Sequence, residues 1–157
     1  MSGAEIDNIR YEGLGRLDDL VGYHLRRASA VFGSDFARAV AGEGLRQVPF
    51  AILSVIAATP GIRQGAAGQA LGIQRANMVA LINELTDAGY VERRPVEDDR
   101  RAFALVLTTA GRAIVDRCTD RLLESENQLL AEFTPDERDM LISLIRRIEA
   151  RELPTAE

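Results

Sequence analysis

A mainly α-helical fold carrying one small β-hairpin is what the sequence predicts, on three observations. Two helical segments, about residues 63–70 and 74–88, are separated by Leu71-Gly72-Ile73, and a turn of about three residues containing glycine signals a helix-turn-helix. Immediately after it, YVERR at 90–94 and AFALVL at 102–107 read as strands around a polar stretch from Pro95 to Arg101, the pattern of a hairpin with a charged tip. Long amphipathic segments occupy both ends of the chain, residues 14–41 and 112–152. The sum is a winged helix-turn-helix, with a reading lobe at 48–111 inside a single domain of residues 1–157. The terminal helices would leave apolar stripes uncovered in one chain, so they are expected to pair two chains into a homodimer.

The elements follow in order. Leu17, Val21, His24, Ala28 and Val31 recur at helical spacing, with Leu20 and Phe32 widening the stripe, until Gly42-Glu-Gly44 stops the first helix. VPFAILSVIAA, residues 48–58, is apolar almost all round, as a helix at the centre of a domain is. Thr59-Pro60-Gly61 is a turn. The second helix of the helix-turn-helix carries Met78, Leu81, Ile82 and Leu85 on one face, and Gly89 stands where a left-handed C-cap belongs. A helix opening at Thr108-Thr-Ala-Gly-Arg is expected to reach Phe133, with Val115, Cys118, Leu122, Leu129 and Phe133 inward. Thr134-Pro-Asp-Glu137 is a capping box for the last helix, which is expected to run to about Glu152 with Leu141, Leu144, Ile145 and Ile148 on its apolar face.

Composition narrows the function classes. With 46% hydrophobic and 27% charged residues the chain has the make-up of an ordinary globular protein, and no apolar run reaches the roughly 18–20 residues of a membrane span. The N-terminal segment lacks the basic and apolar regions of a signal peptide, so a cytoplasmic location is expected. Cys118 is the one cysteine and His24 the one histidine, which excludes an intrachain disulfide and leaves little for metal, nucleophilic or acid–base chemistry. A non-enzyme without cofactor or metal is expected.

The net charge of −5 runs against nucleic-acid binding, but the acid is unevenly placed. Every one of the 19 basic residues is arginine. Residues 112–157 hold seven Arg against eleven acids, whereas residues 63–111 hold six of each, four of those Arg in the pairs Arg93-Arg94 and Arg100-Arg101. Fields are screened beyond about 8–10 Å at physiological salt, so local placement outweighs the total.

In a helix-turn-helix the second helix enters the major groove and its N-terminal residues meet base edges. Here that end reads Gln74-Arg75-Ala76-Asn77-Met78. Gln and Asn can bond adenine, Arg can bond guanine or phosphate, and Met can touch a thymine methyl. The small Ala76 and Ala80 let the helix backbone sit close. At the hairpin tip an arginine can enter a narrow minor groove, and Asp99 can brace the Arg101 guanidinium beside Arg100. The same residues also suit an exposed helix end and a solvated ion pair, and a winged helix used only for protein contacts is the alternative that the net charge favours.

From Leu71 to Gly111 the sequence LGIQRANMVALINELTDAGYVERRPVEDDRRAFALVLTTAG resembles the MarR family of bacterial transcription regulators. The matching elements are Leu-Gly-Ile before the recognition helix, Leu85 with Gly89-Tyr-Val-Glu-Arg93 after it, Asp99-Arg-Arg101 in the wing, and Leu107-Thr108 with Gly111 beyond. The resemblance implies a triangular homodimer on a pseudo-palindromic double-stranded DNA operator, with repression the usual mode and Asp99 and Arg101 the wing pair. Two positions depart from it: Gln74 stands where many members have a better N-cap, and Ala80 where many have Arg. The resemblance also implies a small-molecule effector, an aromatic carboxylate or its coenzyme A thioester. Segment 22–29, GYHLRRAS, is similar to members that answer to such compounds, and Tyr23, His24, Arg27 and Phe50 offer a ring, hydrogen-bonding groups and a cation for one. His24 reads first as a buried or partner-bonded histidine at a dimer contact, and second as an effector contact. Cys118, on an apolar helix face rather than near the first helix, reads as a packed thiol rather than a redox switch.

Overall fold

The computed structural model describes residues 13–96 and 99–151, and of residues 99–102 the backbone alone. Six helices and three strands follow in the order α1 (Val21–Ala39), α2 (Gln47–Ala58), β1 (Ile62–Arg63), α3 (Gln64–Ala70), α4 (Arg75–Asp87), β2 (Val91–Val96), β3 (Asp99–Leu107), α5 (Thr109–Leu129) and α6 (Pro135–Glu149). This is the winged helix-turn-helix that the sequence predicts, mainly helical with a small antiparallel sheet.

The core lies under the reading lobe. Ile52, Leu53 and Ile56 of α2 are 0% exposed, and they meet Met78, Ile82 and Leu85 of α4, Leu105 of β3, and Ile114 and Cys118 of α5. The near-uniform apolarity of residues 48–58 is thereby explained, because α2 is covered from several sides at once. The wing has one strand more than expected. Ile62 and Arg63 pair with Leu105 and Ala104, so the order is β1-β3-β2 and β3 is central. Two residues give no alternation to read in a sequence, and the turn at Gly61 (φ +88°) delivers them to the sheet edge.

Several boundaries differ from the sequence expectation. The first helix does not begin at residue 14: Gly13 and Gly15 hold positive φ, Gly15–Asp19 form a 3₁₀ turn, and the extended Leu20 caps α1. Helix α5 stops at Leu129, four residues short of Phe133, which is 45% exposed rather than inward. The cause is Arg138 of α6, whose guanidinium donates to the Leu130 carbonyl (2.6 Å) and to Asn127 Oδ1 (2.7 Å), satisfying the helix end there. The capping box is present: Thr134 N–H donates to Glu137 (2.7 Å) and Glu137 N–H donates back to Thr134 Oγ1 (3.3 Å). Helix α6 ends at Glu149, short of 152, and none of its residues is buried.

Candidate nucleic-acid interface

Helix α4 presents two faces. Met78, Ile82 and Leu85, spaced four and three apart, turn inward and are at most 2% exposed. Gln74, Arg75, Ala76, Asn77, Val79 and Ala80 are exposed, so the helix offers a polar edge with small residues between its longer side chains. Met78 is the correction among the expected DNA contacts. At 1% exposure it packs against α3 rather than facing a thymine methyl. The sequence carried the signal already, since Met78 belongs to the same apolar face as Ile82 and Leu85. Val79, 43% exposed, is the apolar side chain that α4 does turn outward.

The approach of α3 to α4 depends on two glycines. Gly72 takes φ +64° in the turn, and Ile73 N–H donates to the Gly68 carbonyl (2.8 Å). A Cβ on Gly68 would lie 3.2 Å from the Ile73 carbonyl oxygen and 3.5 Å from Met78 Cγ, tight enough to hold the helices apart. Gln74 is the N-cap of α4 and its side chain makes no capping bond, as its departure from the better caps implies.

The far end of α4 is fastened to α5. Gly89 takes φ +75°, Thr108 Oγ1–H donates to the Gly89 carbonyl (2.7 Å), and Thr108 Oγ1 accepts from Gly111 N–H (2.9 Å). A Cβ at Gly111 would stand 2.1 Å from the Tyr90 carbonyl oxygen, so no other residue fits without moving the backbone. This junction fixes α4 and the wing against the shaft that leads to the C-terminal helices. Asp99, Arg100 and Arg101 lie on β3, which pairs with Val96 at Asp99 after an irregularity at Pro95. Their side chains fall outside the described residues, and the expected Asp99–Arg101 brace with them.

Two ion pairs stand on the lobe. Arg46 Nη2 lies 2.6 Å from both carboxylate oxygens of Glu84, and Arg94 pairs with Glu92 at 3.3 Å. Two further clamps join α5 to the N-terminal part of the chain. Buried Asp35 of α1 accepts from Ser125 Oγ–H (2.8 Å) and from Arg38, which together hold its carboxyl below the usual range. Glu43, in the link after α1, accepts from Arg117 (3.0 Å) beside Arg121 (3.3 Å), and the Arg117 bond lowers it likewise.

The four residues expected at an effector are not brought together within one chain. Tyr23 and His24 meet edge-on at 5.5 Å between centroids, and the Arg26 and Arg27 guanidinium carbons each lie 5.9 Å from the Tyr23 ring. His24 is exposed and its Nε2–H donates to the Asp18 carbonyl (2.8 Å). Phe50 is elsewhere, packed on Phe36 at 5.8 Å in a cleft of about 550 Å³ between α1, α2 and α5, whose lining includes none of the other three. Cys118 is 0% exposed and burial pushes its thiol up, as a packed, inert cysteine requires.

Comparison with known proteins agrees with this geometry. The sequence profile of the MarR family matches residues 43–102. A protein of Thauera aromatica proposed to be the transcriptional regulator of the hcr operon is 29% identical over 142 residues, 90% of this chain and 86% of that one. Among solved structures, the transcriptional repressor CouR bound to a 23-mer DNA duplex superposes with a TM-score of 0.83 at 34% identity, covering 87% of this chain and 96% of that one. CouR bound to p-coumaroyl-CoA gives 0.80 at 31%, covering 90% and 100%. The relatives are transcription regulators. No helix among the described residues is long and apolar enough to cross a membrane. With the helix-turn-helix, the wing and the flanking helices all in place, this chain belongs to the MarR family of transcription regulators.

Proposed function

We propose that the protein is a homodimeric repressor, not an enzyme, that binds a pseudo-palindromic DNA operator and leaves it when a small aromatic acid or its coenzyme A thioester binds. The observation that carries the DNA half of this reading is the exposed edge of α4, where Gln74, Arg75 and Asn77 stand on a helix held rigidly by its buried opposite face. Gln and Asn there would read adenine edges, and Arg75 would take guanine or a phosphate. Asp99, Arg100 and Arg101 would follow the adjacent minor groove from the wing. The apolar faces of α1, α5 and α6 would form the dimer contact, and the spacing of the two α4 helices would set the spacing of the half-sites.

Support for the effector comes from CouR, a 34%-identical relative in its DNA-bound form that also binds p-coumaroyl-CoA. Tyr23, His24 and Arg27 on α1 are the residues we assign to it, whereas Phe50 on α2 lies in a separate cleft of the chain and is left out of the assignment. An effector shifts DNA binding only if it favours the α4 spacing that does not fit the operator, and operator DNA must then weaken effector binding by the same factor.

The test is selection of duplexes from a random-sequence library, followed by anisotropy titration of the winner with p-coumarate and with p-coumaroyl-CoA. Enrichment of an inverted repeat and its release by either compound is the expected result. In the selected site, Gln74→Ala and Asn77→Ala should each relax preference at particular positions by roughly 1–3 kcal/mol. Release in His24→Ala and Arg27→Ala at the wild-type effector concentration would move the effector away from α1. Failure to enrich any duplex would leave the protein-interaction module, the reading that the net charge of −5 favours.

A further inference from the structure

Between α3, the start of α4 and the inner side of the wing lies a cleft of about 540 Å³. Three arginines from three different elements reach it: Arg63 of β1, Arg75 of α4 and Arg93 of β2. Among the described residues its lining contains no carboxylate. Among the described residues, the guanidiniums of Arg38, Arg46, Arg94, Arg117 and Arg121 are paired with acids, whereas no carboxylate pairs with these three. Arg93 is half-buried and is steered by a neutral partner, donating to Asn83 Oδ1 of α4 at 2.5 Å, so it is positioned without losing its charge. In a chain of net charge −5, three arginines around one concavity with no acid among its described lining make a locally positive site suited to an anion.

The sheet register explains how the cleft is built. Arg93 stands opposite Leu105, which is 0% exposed, so its stem starts on the core-facing side of the wing and its head emerges beside α4. Arg63, one register position along and opposite Ala104, comes from the other face at the sheet edge. Phe103 lies two residues from Leu105 on the same strand face, yet is 47% exposed, and it forms an apolar wall of the cleft.

We infer that this cleft is a backbone clamp, in which Arg63, Arg75 and Arg93 hold a DNA phosphodiester at the border between the groove that α4 enters and the groove beneath the wing, with Phe103 against the neighbouring deoxyribose. The inference rests on the DNA-binding reading above and adds Arg63, Arg93 and Phe103 to it. A guanidinium fork suits phosphate oxygens, and a contact of this kind fixes register without reading sequence. It would lock α4 and the wing onto one strand together, so that base contacts by Gln74 and Asn77 are made in a single register.

A sequence-independent clamp is testable without knowing the operator. Anisotropy with a random-sequence duplex of about 25 base pairs is followed from about 50 to 200 mM salt, for the full chain and for Arg63→Ala, Arg93→Gln and Asn83→Ala. Each released phosphate contact lowers the slope of log affinity against log salt by about 0.9. For Arg63→Ala and Arg93→Gln, the affinity deficit relative to wild type should therefore shrink about threefold across that range. Asn83→Ala, which frees Arg93 but keeps its charge, should weaken binding with the slope retained. Unchanged slopes in Arg63→Ala and Arg93→Gln, with the wild type binding, would overturn the clamp. If Arg93→Gln unfolds, Arg63→Ala decides alone. Saturation of the free protein by inorganic phosphate at sub-millimolar concentration, with DNA slopes unaffected by the substitutions, would assign the cleft to a free anion and equally overturn it. A wild type that binds no duplex at low salt would sink the DNA-binding reading itself, an outcome distinct from either.

Discussion

Helices α2 and α6 are both rich in large aliphatic side chains, but they dispose of them in opposite ways. In α2, Ile52, Leu53 and Ile56 are 0% exposed, covered by α4, α5 and the wing. In α6, Met140 is 60% exposed, Ile148 49%, and Ile142 and Leu144 45% each. Helix α1 behaves like α6, with Val21 at 66% and Val31 at 52%. The reading lobe, together with the first turns of α5, therefore completes a closed core, whereas α1 and α6 carry apolar surface that the chain alone leaves in water. Apolar area contributes roughly 25 cal/mol per Å² only where it is removed from water. The lobe thus draws its stability from within, and the ends would draw theirs from a second copy.

The largest effect expected of a single substitution lies in the lobe. Ile52→Ala should cost about 2–5 kcal/mol in urea unfolding, because a fully enclosed site cannot collapse around the missing methylenes. A cost under about 1 kcal/mol would mean that α2 is not the closed centre described above. At the other pole, Ile148→Glu should leave the lobe folded and weaken self-association at least about tenfold, since a symmetric contact would bury the new charge twice. Sedimentation of the wild type as a monomer at micromolar concentration would break the comparison, by showing that the exposed ends tolerate water.

How much of this was legible in the sequence differs between the same two regions. Periodicity placed α4, whose buried face repeats at helical spacing, while apolarity almost all round placed α2 and strand-like composition around a polar stretch placed the hairpin. Periodicity failed for β1, whose two residues have no period, and it overran α5, whose end depends on Arg138 nine residues beyond Leu129. Met78 shows a different failure. It sits at the helix end proposed to read DNA and also on the apolar face, and burial decided for the core. The Arg63–Arg75–Arg93 cleft was invisible for a topological reason: its members are twelve and eighteen residues apart and meet only because β1 pairs with β3. The aromatic and basic residues of α1 were legible individually, but Phe50 lies in a different cleft of the chain.

Where α1 and the link after it meet α5, acid should act selectively. Asp35 is held to Ser125, and Glu43 to Arg117, with both carboxyls below their ordinary range near pH 4. The folded state then binds these protons less readily than the unfolded chain. The stability they contribute is complete above about pH 4–5 and is lost as pH falls through the lowered folded values. Thermal midpoints should thus decline below about pH 4, and Asp35→Asn should make that decline shallower while lowering the midpoint at neutral pH. An acid limb as steep in Asp35→Asn as in the wild type would show that Asp35 does not report the α1–α5 joint, and would leave Glu43 with Arg117 as its acid-sensitive contact.

The smallest effect on stability is expected where the effect on function is large. Arg101 stands on β3 between the polar tip of the wing and Phe103, and the hydrophobic core begins farther along the strand at Leu105. Arg101→Ala should therefore move the unfolding free energy by less than about 0.5 kcal/mol, as for other substitutions away from packed sites. The same change should weaken binding to a selected operator at about 150 mM salt, with Asp99→Ala giving a milder loss, because a guanidinium in a narrow minor groove meets concentrated negative potential. The contrast with Ile52→Ala is the point of the pair: one substitution removes stability, the other removes DNA affinity from a protein that still melts at the wild-type temperature. Equal operator affinity in Arg101→Ala and wild type would take the wing out of the groove and leave α4 and the arginine cleft to carry the whole interface.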